Sequence, residues 1–228
     1  HHLMLSYVYR ISEDMNLKIE PYFQYLYDIP VTENGSWAVI NRTDYYITGT
    51  LTDKGKGRNF GVDLTFEKYL TRGMYYMVTA SVFDSKYRGG DGKWYNTRYN
   101  RNFITNGLIG KEWMMKRDML SINLKASVLG GNRYSPVDEA ATLAHPDKEV
   151  QYDESRRYAE QFSPMFIGDF SISYKMNRKR VAHEFAVKSV NATNQKEYVE
   201  HKYNIKTQKI EAYCPATSMF NVSYRIEF

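Results

Sequence analysis

The final nine residues of the chain alternate strictly between apolar and polar side chains. Five apolar residues occupy every second position in the run Phe220-Asn-Val222-Ser-Tyr224-Arg-Ile226-Glu-Phe228. Because the side chains of a β-strand point alternately to opposite faces, this run predicts a strand with one apolar and one polar face. Such a strand fits a membrane β-barrel, which has lipid outside and a wet lumen inside. It also fits a half-buried strand of a soluble sandwich.

The composition restricts the class of protein further. Hydrophobic residues make up 43% of the 228 residues, but the mean hydropathy is −0.60. No run of apolar residues approaches the length of about 18 that a transmembrane helix needs, which excludes a helical membrane protein and leaves a barrel open. The 21 Tyr residues suit the interfacial aromatic girdles of a barrel, and they equally suit a sugar-binding surface. The net charge of +5 includes no long basic run, so no nucleic-acid partner is expected.

Strand-like runs come in pairs that are joined by short polar turns, and long polar loops separate the pairs. The predicted strands are 3–11, 15–27, 60–70, 74–86, 102–115, 119–129, 164–176, 181–190 and 217–228. The predicted loops are 28–58, 87–101, 131–163 and 191–216. This pattern predicts an all-β, antiparallel fold of about nine strands, long enough to cross a membrane obliquely. Short turns at one end and long loops at the other are typical of an outer-membrane barrel.

Three of these runs alternate cleanly, namely 60–66, 120–128 and 166–174. Their polar positions include Asp63, Lys125 and Asp169, which would be costly to bury in a dry sandwich core. The polar face is therefore expected to meet water or a polar filling. The segments Met74–Phe83 and Phe103–Glu112 alternate poorly, and the sequence does not assign their faces.

Several segments carry a resemblance to a known family. They are Glu20–Pro30, Gly55–Asp63, Thr79–Tyr87, Gly130–Pro136, Tyr152–Ser155, Val190–Asn194 and Tyr224–Phe228. The most specific are Gly-Arg-Asn-Phe-Gly-Val-Asp, which ends at Asp63, and Asn-Ala-Thr-Asn, which ends at Asn194. In this order and spacing, the chain resembles the C-terminal half of the barrel of a TonB-dependent outer-membrane receptor, of the kind common in Bacteroidetes.

The resemblance implies a 22-stranded transmembrane barrel with a plugged lumen. Residues 1–228 would be the C-terminal part of that barrel, and the plug domain would be absent, so TonB would act only through a missing N-terminal part. Since about nine strands leave two unpaired edges that lipid does not tolerate, a fragment or a split gene product is expected. The expected function is active uptake of a scarce solute, such as a siderophore, vitamin or glycan, across the outer membrane.

The same resemblance implies further partners and a location. The C-terminus is expected in the periplasm, and the barrel face is expected to contact outer-membrane lipid. The alternating final strand resembles the signal that the barrel-assembly machinery recognises by strand addition, with Tyr224, Ile226 and Phe228 as its recognition residues. Plain lipid contact is the competing interpretation of these three side chains.

No catalytic, cofactor-binding or metal-binding residues are expected, and the chain is not expected to be an enzyme. The five His residues lack metal-ligand spacing, and Cys214 has no identifiable basic partner. Aromatic residues in the loops are the best candidates for contact with a small-molecule or glycan ligand, although packing would also explain them. These candidates are Trp37, Tyr45, Tyr46, Trp94, Tyr95, Tyr152 and Tyr158. The alternative function is a soluble or surface-exposed β-sandwich binding module of the lectin type.

Overall fold

A computed structural model describes residues 1–42, 49–215 and 218–228. These residues form β-strands, which are connected by turns, by loops and by one short α-helix. In chain order the elements are β1 (His2–Met4), β2 (Tyr7–Ser12), β3 (Met15–Thr32), a 3₁₀ turn (Val39–Asn41), β4 (Leu51–Thr71), β5 (Met74–Arg88), β6 (Trp94–Asn96), β7 (Phe103–Met115), β8 (Asp118–Leu129), β9 (Arg133–Tyr134), β10 (Val137–Asp138), α1 (Glu139–Ala144), β11 (Gln151–Tyr152), a second 3₁₀ turn (Glu154–Arg156), β12 (Glu160–Gln161), β13 (Met165–Asn177), β14 (Ala182–Val190), β15 (Glu200–Asn204), β16 (Lys209–Tyr213) and β17 (Met219–Glu227). In the described part of the chain, no helix is long and apolar enough to cross a membrane.

The long strands form one antiparallel sheet in the order β1-β3-β4-β5-β7-β8-β13-β14-β17. Strand β2 also pairs with β3, and the short β6 pairs with β5. The remaining strands form three two-stranded ribbons, β9–β12, β10–β11 and β15–β16. The prediction of an all-β, antiparallel chain is confirmed. The sheet is open in the described residues, with β1 and β2 at one edge and β17 at the other.

The connections differ sharply between the two ends of this sheet. One end, the turn end, carries tight connections at 13–14, 72–73, 116–117 and 178–181. Gly73 shows why such a turn needs glycine, because its φ is +72° and an added Cβ would lie 2.3 Å from the carbonyl oxygen of Glu112. The opposite end, the loop end, carries every long connection between neighbouring strands of the main sheet.

The predicted loop at 28–58 is wrong at both of its ends. Strand β3 continues to Thr32 and β4 begins at Leu51, with Ile29 opposite Gly55 and Val31 opposite Thr52. The pairing register shifts once on each side of Ile29, and these two shifts accommodate the irregular stretch. Gly55 permits the close pairing, because a Cβ there would lie 2.5 Å from the carbonyl oxygen of Ile29. The alternation of side chains is interrupted where the register shifts, so the sequence pattern does not extend the two strands through this stretch.

The other predicted loops are also more ordered than expected. Residues 87–101 contain β6, residues 131–163 contain the ribbons β9–β12 and β10–β11 together with α1, and residues 191–216 contain β15–β16. The carboxylate of Asp138 caps α1 by accepting a hydrogen bond from the backbone N–H of Ala141 at 2.9 Å. Local caps and two-residue pairings of this kind leave no periodic signal in the sequence.

The pairing register places apolar side chains of neighbouring strands on the same face of the sheet. Ile172 lies opposite both Ile122 and Val187, and Val187 lies opposite Val222. The register also assigns the two strands whose sequence was ambiguous. Ile109 of β7 belongs to this apolar face because it lies opposite Leu124, and every second residue of β5 joins it through the pairing with β7.

Solvent exposure is inverted relative to a soluble sheet. Apolar-face residues Leu124 and Val222 are 53% and 69% exposed, whereas Ser121 and Ser127 of the opposite face are 6% and 4% exposed. The total accessible surface is 14883 Å², against about 10,800 Å² expected for a compact monomer of this mass. Exposed large apolar residues on this face are Leu3, Tyr7, Tyr9, Phe23, Phe60, Val62, Met74, Val78, Val82, Ile109, Trp113, Leu124, Val128, Phe166, Ile172, Phe185, Phe220, Val222, Tyr224 and Ile226.

The main buried cluster lies at the loop end instead of along the sheet. It consists of Ile29, Val31, Ala38, Tyr87 and Tyr95. Tyr87 lies opposite Gly57 and opposite Tyr95, which places the two tyrosines on the polar face of the sheet. The long loops therefore fold over the polar face and bury their apolar side chains there.

Candidate functional site

The long connections at the loop end pack together into one unit, which we call the loop cap. It comprises the described residues of 33–50, 89–102, 130–164 and 191–218. The first and third connections meet where the hydroxyl of Ser36 donates to the carboxylate of Glu154 at 2.7 Å. The hydroxyl of the buried Tyr87 donates to the carbonyl oxygen of Ser36, also at 2.7 Å, and this bond ties the first connection to β5.

A second set of contacts joins the later connections. The guanidinium of Arg101 donates to Glu197 at 2.5 Å and to Asn132 at 2.7 Å. The amide of Asn132 in turn donates to the carbonyl oxygen of Tyr198 at 2.8 Å. Arg133 donates to the side chain of Asn102 at 2.7 Å. Each of the four connections is thus bonded to at least one other, which holds the cap together without a hydrophobic core of ordinary size.

A ladder of polar side chains connects the cap to the polar face. The amide of Asn59 donates to Gln24 at 3.1 Å and its oxygen accepts from the hydroxyl of Ser85 at 2.6 Å. The hydroxyl of Thr97 donates to that of Ser85 at 2.9 Å. This ladder runs across three strands and into the connection that follows β6, so the position of the cap depends on the register of the sheet.

A cavity of about 160 Å³ lies between the connections of the cap. Its walls come from the second, third and fourth connections, which no single segment of sequence could supply. The lining residues are Arg98, Arg133, Tyr134, Ser135, Tyr152, Arg157, Tyr158, Val199 and Glu200. Three arginines and three tyrosines dominate this list, and the ring of Tyr134 is held in place by stacking on Phe162 at 4.3 Å between centroids.

The three arginines leave the cavity with an excess of positive charge. Arg157 pairs at 2.8 Å with Glu154, which lies outside the lining, and Glu200, the one acidic residue of the described lining, pairs with Lys202 at 3.2 Å. Arg133 bonds to neutral groups, and burial lowers its pKa from the usual 12.5. The guanidinium of Arg98 donates no hydrogen bond within the described residues and lies 5.7 Å from the ring centre of Tyr99.

The tyrosine hydroxyls of the cavity remain protonated near neutral pH. Burial raises the pKa of Tyr134, Tyr152 and Tyr158 above the usual value of 10.0. The positive charge of Arg98, which lines the same cavity, partly opposes this rise in the pKa of Tyr152 and Tyr158. The site therefore offers neutral hydroxyl donors and permanently charged guanidinium donors to the same small volume.

The loop aromatics predicted to contact a ligand are placed in different environments. Tyr152 and Tyr158 line the cavity, whereas Tyr95 is 7% exposed and belongs to the buried cluster. The ring of Trp94 lies 4.7 Å from the guanidinium of Arg58. Trp37 is half-buried in the first connection. Tyr45 and Tyr46 lie outside the described residues.

Sequence reasoning did not single out Arg98, Arg133, Tyr134 or Glu200 as site residues. Each of them lies in a predicted loop, and only the folding of the loop cap brings them together. Arg157 lies in the segment Tyr152–Tyr158, whose mixed charges and tyrosines had marked it as a candidate ligand or packing segment. The clustering of Arg and Tyr in the predicted loops was the one available signal.

The three residues predicted as an assembly signal lie on the edge strand or directly after it. Tyr224 and Ile226 of β17 are 55% and 42% exposed on the apolar face, and Phe228 is 95% exposed. The hydroxyl of Tyr224 lies 2.7 Å from Nδ1 of His183 on the neighbouring strand. One side of β17 has no partner strand among the described residues, so its backbone groups remain open to strand addition.

Two other features bear on chemistry. No group of three or more His, Cys, Asp or Glu side chains that could hold a metal ion occurs within residues 1–42, 49–215 and 218–228. A second cavity, of about 610 Å³, is an apolar groove above the row Gly107, Ala126 and Gly168, which lie opposite one another on the apolar face. The groove exists because these small residues leave a trough between larger neighbours such as Leu124 and Phe166.

The pH dependence of cap stability should report on His201. Burial lowers the pKa of His201 from its usual 6.5, and its Nδ1 is buried without a hydrogen-bond partner in the described structure. His201 therefore binds a proton more readily in the unfolded cap than in the folded one. The free energy of unfolding of the cap should decrease as the pH falls below about 6.5. Hydrogen exchange of residues 199–204, corrected for intrinsic rates, should show weaker protection at about pH 5.5 than at about pH 7.5. His201→Phe should remove this difference, and an unchanged difference in that variant would contradict the assignment.

Comparison with known proteins identifies no relative. No family model matches this chain, and neither does any curated protein or solved structure. The function is therefore inferred from the chemistry of the two sheet faces and of the loop cap.

Proposed function

We propose that the chain forms part of the β-barrel of a TonB-dependent outer-membrane receptor, which takes up a scarce solute. The observation that carries the proposal is the apolar face of the main sheet, which is exposed on every long strand and which no second layer covers in the described residues. Monomeric soluble proteins rarely expose a contiguous apolar patch of more than a few hundred Å². Lipid is the solvent that such a surface requires.

The apolar face is continuous across the sheet as well as along each strand. One row of paired residues runs from Tyr9 on β2 to Gly168 on β13 without a charged side chain, through Leu17, Phe66, Val78, Gly107 and Ala126. Aromatic residues lie near both ends of the strands, with Phe220 and Phe166 toward the loop end and Trp113 toward the turn end. Girdles of this kind flank the apolar band of outer-membrane barrels.

The polar face supports the same proposal because it satisfies its polar groups within the sheet. The amide of Asn123 donates to Ser171 at 3.2 Å and its oxygen accepts from Tyr75 at 2.5 Å. Lys125 lies 3.5 Å from Asp169 on the paired strand. Such a face suits a water-filled or plugged lumen, and it would be costly in the dry interior of a sandwich.

The open edges of the sheet imply additional strands in the membrane. The unpaired backbone groups of β2 and β17 would each cost several kcal/mol in hydrocarbon, so a lipid-embedded sheet requires closure. We propose that further strands close it into a large barrel, of 22 strands by the family resemblance, and that the plug and the TonB contact also come from outside this segment. Strand β17 runs toward the turn end. In the proposed barrel, where short turns face the periplasm, Phe228 would lie on the periplasmic side.

The soluble sandwich is the weaker alternative. A sandwich requires a second sheet that packs on the first at a distance of about 10 Å. Within the described ranges, the remaining ribbons have strands of only two to five residues, and they belong to the loop cap. They leave the apolar face open.

A lysine placed on each face of one strand should separate the two functions. Ile172, in the middle of β13, is 42% exposed on the apolar face, and the next residue, Ser173, points to the polar face. In lipid vesicles, Ile172→Lys should lower the free energy of unfolding of the complete protein by about 2–4 kcal/mol, since this position would lie near the bilayer midplane. Ser173→Lys should cost less than about 1 kcal/mol, because a lumen side chain keeps its water.

Urea titration in vesicles measures both values. A soluble protein would give the opposite ranking, or no difference, because Ile172 would already contact water there. Equal stability of the two variants, together with recovery of the protein in the soluble fraction, would refute the proposed function.

Removal of the final residue tests the proposed assembly signal. Deletion of Phe228 should reduce the amount of complete receptor that reaches the outer membrane several-fold, because strand addition would lose its terminal aromatic anchor. Exchange of Phe228 for Tyr keeps an aromatic ring and serves as the control. Normal insertion of the deletion variant would leave Phe228 with no role beyond lipid contact.

A further inference from the structure

We propose that the cavity in the loop cap binds an oxyanion, a carboxylate or phosphate group carried by a small solute, with Arg98 as its principal ligand. The inference names the substrate class of the receptor and in that sense rests on the proposed function. Binding itself is a property of the cap and is measurable on isolated protein.

The charge of the cavity wall is the first argument. Three arginines, Arg98, Arg133 and Arg157, line a cavity of about 160 Å³, and Glu200 is the one acidic residue among its described lining residues. Glu154, which pairs with Arg157 at 2.8 Å, lies outside the lining. Like charges gathered in a partly buried space repel one another, and an anion between them would relieve that repulsion. Glu200 cannot do so fully, because it also pairs with Lys202 at 3.2 Å.

The unused donors of the arginines are the second argument. Arg98 donates no side-chain hydrogen bond within the described residues, so its planar guanidinium is free to donate two hydrogen bonds to the oxygen atoms of an anion. Arg157 uses one nitrogen on Glu154, while its Nε and Nη1 are buried without a hydrogen-bond partner in the described structure. Buried polar groups normally have partners, and a small rotation toward a bound oxyanion would provide them.

The tyrosines that line the cavity limit the size and shape of the part of the solute that carries the oxyanion. Tyr134, Tyr152 and Tyr158 line the same cavity as Arg98, and the ring of Tyr134 stacks on Phe162. Their rings offer flat faces and their hydroxyls offer neutral donors. The volume equals that of about five water molecules, which accommodates one charged group with part of a ring and excludes a drug-sized ligand.

Isothermal titration of the complete protein in detergent micelles tests the inference with three probes. D-glucuronate carries a carboxylate, D-glucose 6-phosphate carries a phosphate, and D-glucose carries neither. At least one of the two anions should bind about tenfold or more tightly than glucose, and comparison of the two anions identifies which oxyanion the cap prefers.

The decisive variants are Arg98→Gln and Arg156→Gln. The first should weaken anion binding at least about tenfold, as expected when a bidentate charged contact is lost. The second removes the same charge from a neighbouring, 58% exposed side chain that does not line the cavity, and it should change binding less than about twofold. Arg98→Lys keeps the charge without the fork and should fall between Arg98→Gln and the unchanged protein.

Folding of the cap is checked separately by hydrogen exchange of residues 130–164. The side chain of Arg98 donates no hydrogen bond there, so protection in the two Arg98 variants should equal that of the unchanged protein. The inference is overturned if neither anion binds better than glucose, or if Arg98→Gln and Arg156→Gln weaken binding equally.

These outcomes are distinguishable from failure of the proposed function. If the protein binds an anion through Arg98 but does not locate to the outer membrane, the anion site is supported and the receptor function is refuted. If the protein inserts into the outer membrane but binds glucuronate and glucose 6-phosphate no more tightly than glucose, the receptor function stands and the anion site is refuted.

Discussion

The in-register pairing of alternating strands is the constraint on which the rest of the structure depends. Because Ile122, Ile172, Val187 and Val222 lie in one row, a shift of one strand by one residue would bring charged side chains onto the apolar face. The backbone ladder thus fixes both faces at once. It produces one face of exposed apolar side chains and an opposite face whose polar side chains bond to one another.

The loop cap follows from the same register. Tyr87 can donate to the carbonyl oxygen of Ser36 because its register opposite Gly57 places its side chain on the polar face of the sheet. Apolar residues that would form a core in a soluble domain are gathered at this one end, and the cavity forms around arginines from separate connections. The sheet and the loop cap therefore differ, since the sheet leaves its apolar face exposed and the cap is held together by hydrogen bonds between its connections.

Much of the sheet could be predicted from the sequence, and most of the cap could not. Alternation in 120–128 and 166–174 determined their strands and faces to within one or two residues at the ends. Alternation failed in 74–83, where Met77 and Phe83 lie on the polar face, so that only pairing with β7 and β4 assigns the strand. The paired residues near Ile29 were missed because two register shifts interrupt the alternation of side chains there.

Only the aromatic part of the candidate site could be predicted from the sequence. Tyr152 and Tyr158 could be proposed from their loop position, since aromatic residues in connections either bind or pack. Tyr95 in fact packs, and nothing in its local sequence distinguishes it from the other two. Arg98 and Arg133 meet only through contacts such as the bond from Arg133 to Asn102, which span more than thirty residues and have no local pattern.

The most direct test of the central claim is the environment of consecutive side chains along β8. A spin label is placed in turn at residues 120–128 of the complete protein, with Cys214 replaced by Ser, and its collision rates with oxygen and with a water-soluble nickel complex are measured in lipid vesicles. The account predicts a period of two, with oxygen access highest at Leu120, Ile122 and Leu124 and nickel access highest at the positions between them. Labels at the apolar positions that collide freely with nickel, or that are shielded from both reagents, would contradict the account.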